Sequence, residues 1–213
     1  MAQPGTIIIN SGTYAEAIDL TSFPNNITLQ FVEGISMVTS IIGGADDVIN
    51  LGGIGAGHST PVILTLGDTN NQSIAGVISG TGGISKIGAG NLTLGGTNTY
   101  SGVTDINAGT LTVNGVIGSG TAAGTVTIAS GATLSGGGTV NAKIAGSSAL
   151  ATITATGNLN LGDGSATGFS FGGTLNIGVH TVTINDSNTA TLGDITIAGG
   201  ELDAANGITL SGG

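Results

Sequence analysis

The chain's 213 residues include 42 Gly but only 3 Pro, 4 Phe, 2 Tyr and neither Trp nor Cys, which excludes disulfide stapling and thiolate metal sites and, with no G-X-Y period, collagen. A hydrophobic content of 39% argues against disorder, while the scarcity of rings argues against an ordinary globular core. Twelve acids stand against two bases, Lys86 and Lys143, so phosphate-backbone binding and docking on anionic lipid are excluded and no nucleic acid is expected as a partner.

In chain order, the first strands expected are Gly5-Thr6-Ile7-Ile8-Ile9 and Ile27-Thr28-Leu29-Gln30-Phe31. This region holds two of the three Pro and half the Phe. Bulkier residues suit the end of a stacked structure, where bare strand edges invite aggregation, so residues 1–45 are read as N-terminal capping coils, with 14–20 as a single helical turn. Residues 46–213 are read as β-helix repeats in one continuous solenoid, a fragment of a longer chain.

The second segment opens with Gly43-Gly44-Ala45-Asp46-Asp47-Val48-Ile49-Asn50-Leu51-Gly52-Gly53. This is similar to a calcium-binding nonapeptide turn of the repeats-in-toxin type, which makes Asp46 and Asp47 candidate calcium ligands. It departs from that pattern before the acids and again at Gly57, where an Asp ligand belongs. A turn with two solvated acids is the alternative.

Beyond this point a single three-residue pattern dominates. Thr sits between two branched aliphatics in Leu64-Thr65-Leu66, Leu92-Thr93-Leu94, Leu111-Thr112-Val113, Val126-Thr127-Ile128, Val182-Thr183-Ile184, Ile195-Thr196-Ile197 and Ile208-Thr209-Leu210, as it does earlier in Ile27-Thr28-Leu29. Asn takes the middle in Ile49-Asn50-Leu51, Leu159-Asn160-Leu161 and Leu175-Asn176-Ile177. Strand side chains alternate between faces, so each triplet sends two aliphatics inward and one small polar group outward. Turn residues fill the gaps. The pattern predicts an all-β, single-stranded β-solenoid, and coils of roughly 20 residues would give on the order of ten turns, about 50 Å of rod.

The central stretch runs Gly80-Thr81-Gly82-Gly83-Ile84-Ser85-Lys86-Ile87-Gly88-Ala89-Gly90-Asn91-Leu92-Thr93-Leu94-Gly95-Gly96-Thr97-Asn98-Thr99-Tyr100-Ser101-Gly102 and then Val103-Thr104-Asp105-Ile106-Asn107-Ala108-Gly109-Thr110-Leu111-Thr112-Val113-Asn114-Gly115. It resembles the passenger-associated repeat of bacterial autotransporters, with looser echoes at 124–136 and 173–178. The resemblance implies a right-handed parallel β-helix, extracellular or displayed at the outer membrane of a bacterium. Within the repeat, Gly88, Gly90, Gly95 and Gly96 are expected at positive-φ corners, with Asn98, Asn107 and Asn114 near others. Tyr100 is expected to cover a corner with its hydroxyl in water; a sugar-stacking platform is the alternative.

Catalysis finds little support. Pectate-lyase-like cleavage relies on basic residues, and galacturonase-like hydrolysis needs paired carboxylates, whereas Asp46 and Asp47, as strand neighbours, would face opposite ways. His58 and His180 are isolated, and no phosphate-cradling glycine motif occurs. No catalytic or cofactor-binding residue is nominated, and calcium is the sole cofactor considered. No stretch is long and apolar enough for a spanning helix, so direct membrane insertion of this segment is not expected. The expected function is a non-enzymatic structural or adhesive rod. Its partners would be copies of itself, associating laterally or end to end, or glycans and host or cell surfaces. A polysaccharide-degrading enzyme on the same fold and a passive stalk for a functional head are the alternatives.

Overall fold

A computed structural model describes residues 5–10, 12–14, 18–20, 27–31, 35–38, 41–42, 46–52, 62–118, 123–146, 148–164, 169–185, 190–204 and 208–210. Every sheet in it is parallel, and each strand inside a sheet pairs with the strand one coil earlier and one coil later. Ile84 lies opposite Thr104, so a coil takes roughly 20 residues, the length expected of a solenoid repeat. The chain is a β-solenoid with no helix among the described residues.

Three walls enclose the core. One is a ten-stranded sheet that includes Ile63–Leu66, Gly83–Lys86, Thr104–Ile106, Ala123–Ile128, Ala142–Gly146 and Phe169–Phe171. Another is a seven-stranded sheet from Gln72–Ile74 to Ile195–Ile197. The remaining wall is split: a four-stranded sheet ends at Val77–Ser79, and a six-stranded sheet starts one coil later at Thr97–Asn98. Strands on both sides of position 45 share a sheet, since Ile27–Phe31 pairs with Val48–Asn50.

The predicted alternation is visible directly. Asn91–Leu94 and Thr110–Val113 bury their aliphatics fully and leave the intervening polar residues partly exposed. Register stacks Leu92 on Leu111, Leu111 on Leu134 and Leu134 on Ile153, forming a continuous aliphatic column. Burying one such side chain contributes about 1.5–3 kcal/mol. Because each coil touches only its neighbours, the total is close to a sum of neighbour terms.

Three expectations are corrected. The helical turn over 14–20 is not formed at its described positions, because Tyr14 ends the strand Gly12–Tyr14 and Ile18–Asp19 is itself a strand. Ile197 is half exposed because its strand lies at the edge of the seven-stranded sheet, paired on one side, and a register shift precedes it. Of the four repeat glycines, Gly88 takes a positive φ (69°), whereas Gly90 and Gly96 serve close approach between coils. A Cβ on Gly96 would collide with the Gly76 carbonyl oxygen, one on Gly115 with that of Gly96, and one on Gly138 with that of Gly115. Gly115→Ala is therefore expected to cost about 1–3 kcal/mol in urea unfolding, the usual penalty of overpacking.

Candidate functional site

The inward columns of the ten-stranded wall are interrupted within one coil. Lys86 stands between Leu66 and Ile106 in one column, and Thr104 between Ile84 and Val126 in the next. Among the described residues, the polar side chains with less than 2% exposure are Lys86, Asn98 and Thr104, and Tyr100 beside them is fully buried. An uncompensated ammonium or amide in such surroundings would be costly, so the partners decide what the cluster does.

Each partner is present. The Lys86 ammonium donates to the carbonyls of Ile87 (2.7 Å), Gly88 (2.9 Å) and Ala108 (3.1 Å), which uses all three of its hydrogens. Burial holds its pKa below the ordinary ammonium range, partly offset by the Asp68 carboxylate. The Asp68 carboxyl is itself held low by the Asn70 backbone N–H at 2.6 Å. Asn98 accepts from the Ile78 N–H (3.0 Å) and donates to the carbonyls of Gly96 (3.0 Å) and Val116 (2.9 Å). Its side chain thus spans the junction where the four-stranded sheet gives way to the six-stranded one.

The wet hydroxyl expected of Tyr100 is corrected. The ring is fully buried, and its oxygen lies 2.6 Å from Thr104 Oγ1. A platform for stacking sugar is ruled out by the same burial. Burial also pushes the phenol well above its ordinary range. The folded state therefore keeps a proton that the unfolded chain releases near pH 10, so this stability is present below that pH and is lost as pH rises past it. Tyr100→Phe is expected to cost about 1–3 kcal/mol by stranding the Thr104 hydroxyl. In an absorbance titration, the phenolate signal that this variant lacks should emerge only as the wild-type chain unfolds.

Asn98, placed at a corner by sequence, is instead buried in the wall, while Asn107 is exposed and donates to Ser85 Oγ at 3.0 Å. The two candidate calcium acids have different surroundings. Asp46 is exposed in a turn, whereas Asp47 is buried and accepts the Ile27 N–H of the previous coil at 3.0 Å. A turn with two solvated acids is thus corrected, because one carboxylate holds a neighbouring coil. His58 lies outside the described residues, and His180 is half-buried in a turn. Among the described residues, no group of three or more His, Cys, Asp or Glu is placed to hold a metal ion.

The outer faces differ in charge. The seven-stranded wall shows two registered rows, Ser73-Thr93-Thr112-Ser135-Thr154-Asn176-Thr196, in which Ser135 is buried, and Asn91-Thr110-Thr133-Thr152-Thr174. No strand of this wall contains an acid or a base. By contrast, the ten-stranded wall carries Asp105 and Lys143, and the six-stranded sheet carries Glu201 and Asp203. A groove of about 830 Å³ opens on the ten-stranded wall, lined by residues including Thr127, Ala145, Ser148, Ser170 and Thr191. It holds no titratable side chain and so offers hydrogen-bonding surface without an acid or base.

The family described as Passenger-associated-transport-repeat matches residues 84–113, the segment that contains the buried polar cluster. The chain is 41% identical over 83 residues to the adhesin BmaC autotransporter of Brucella suis biovar 1 (strain 1330). That stretch is 39% of this chain and 2% of the relative. No solved structure matches.

Proposed function

We propose, for a chain that carries an autotransporter passenger repeat, that it is a non-enzymatic segment of a cell-surface or secreted rod acting by adhesive contact. The similarity to a relative named an adhesin supports a surface passenger role. The observation that carries the adhesive reading is the charge-free hydroxyl face of the seven-stranded wall, in a chain of formal net charge −10. Two such acidic rods, or a rod and a neutral glycan, could approach through this face without setting like charges against each other.

The size of the face sets the mechanism. Seven strands at ~4.8 Å and three to five residues at ~3.3 Å give about 400 Å². A stable specific interface buries about 800 Å² per partner. One contact is therefore weak, each hydrogen bond adding about 0.5–1.5 kcal/mol, and function rests on many rods acting together. Beads densely coated with the chain are expected to cluster or to hold neutral polysaccharide. Thr112→Glu with Thr152→Glu should reduce this at least tenfold, about 1.4 kcal/mol. The same change at Thr127 and Thr191, on the other wall, should leave it intact. Equal loss from both pairs, or from neither, would discard the face. Release of reducing sugar from a polysaccharide would instead favour the enzyme.

A further inference from the structure

A solenoid built from interchangeable triplets has an assembly problem. Leu92-Thr93-Leu94 stacks on Leu111-Thr112-Val113, yet almost the same contacts are offered by Thr133-Leu134-Ser135 or Thr152-Ile153-Thr154 one or two coils further on. Apolar stacking alone discriminates weakly between these partners, and misassembly is a characteristic failure of repeat proteins. Buried polar groups with directional partners are the best-attested means of fixing register.

We propose that Lys86 and Asn98 form a register lock that stops the chain from skipping a coil. The partners lie on successive coils. Asn98 takes the Ile78 N–H from the coil before and gives a hydrogen to the Val116 carbonyl in the coil after. Lys86 reaches the Ala108 carbonyl, also in the coil after. Pairing the strand Asn91–Leu94 with Thr133–Gly136 would extrude residues 108 and 116, taking an acceptor from a buried ammonium and another from a buried amide. Asn98 also sits where one wall changes from the four-stranded to the six-stranded sheet, so its side chain supplies a link at the break in the backbone ladder. The lock is independent of whatever the outer faces bind.

The chain has no cysteine, which permits a direct readout. Thr93 and Thr112 are register partners, about 4.8 Å apart, whereas Thr93 and Ser135 are two coils apart, about 9.6 Å and beyond the reach of a disulfide. The pair Thr93→Cys/Thr112→Cys reports native stacking, and Thr93→Cys/Ser135→Cys reports a skipped coil. Refolded under oxidising conditions, the otherwise unaltered chain should form the first link and not the second. With Lys86→Met and Asn98→Leu together, the second should rise several-fold while the circular dichroism of strands persists. Formation of the first link alone in that background would overturn the lock. Loss of all strand signal would move the decision to the single variants, where a folded chain that never forms the skipped link would also overturn it.

Discussion

Asn98→Ala is expected to lower the stability of the central coils by about 2–4 kcal/mol. The side chain is fully buried and satisfies one N–H and two carbonyls that belong to three successive coils. Alanine strands the Ile78 N–H, which costs about 1–3 kcal/mol, and removes two further hydrogen bonds worth about 0.5–1.5 kcal/mol each, although the Gly96 carbonyl keeps the Val116 N–H at 3.0 Å. Hydrogen exchange should show the loss first at the Ile78 amide and then in the strands Val77–Ser79 and Thr97–Asn98. A variant with unaltered urea midpoint and exchange at Ile78 would mean that the Asn98 amide is not a link between the two sheets.

Leu92→Ala combined with Leu94→Ala is expected to cost about 4–8 kcal/mol, since each truncation of a fully buried leucine costs about 2–5 kcal/mol and the cavities adjoin. These leucines stack on Leu111 and Val113 above and on Gln72 and Ile74 below. Coils interact only with their neighbours, so the damage should stay local. Limited proteolysis should open the chain around 91–113 while strands such as Phe169–Phe171 and Ala190–Leu192 remain protected. All-or-none loss along the whole chain would contradict nearest-neighbour stability.

Lys86, named by the sequence reading only as one of two bases, shows how much of the site was legible. Ile84-Ser85-Lys86 follows Leu64-Thr65-Leu66 by one coil length, and alternation alone places Lys86 on the inward face. Composition had cast it as one of two scattered bases. Asn98 and Tyr100 carried no comparable signal, because Asn and Tyr beside glycines suit an exposed corner equally well. Asp47 was similarly ambiguous: a carboxylate in a turn reads as solvated until a backbone N–H from another coil is found on it.

By itself, the sequence determined the strands built on the aliphatic triplets and, Ile197 excepted, their inward and outward faces, which follow from period-two alternation, a property of the local backbone. The recurrence of such short triplets with turn residues between them gave the solenoid. The passenger repeat was legible too, through the ordered run from Ile84 to Val113. Only the tertiary structure decided which triplets stack, where one wall breaks into two sheets, and that Lys86, Asn98, Tyr100 and Thr104 are each buried with their polar groups satisfied. Three of their partners, the Ile78 N–H and the carbonyls of Ala108 and Val116, are backbone groups brought near by coil stacking, and a local pattern carries no record of which coil supplies them.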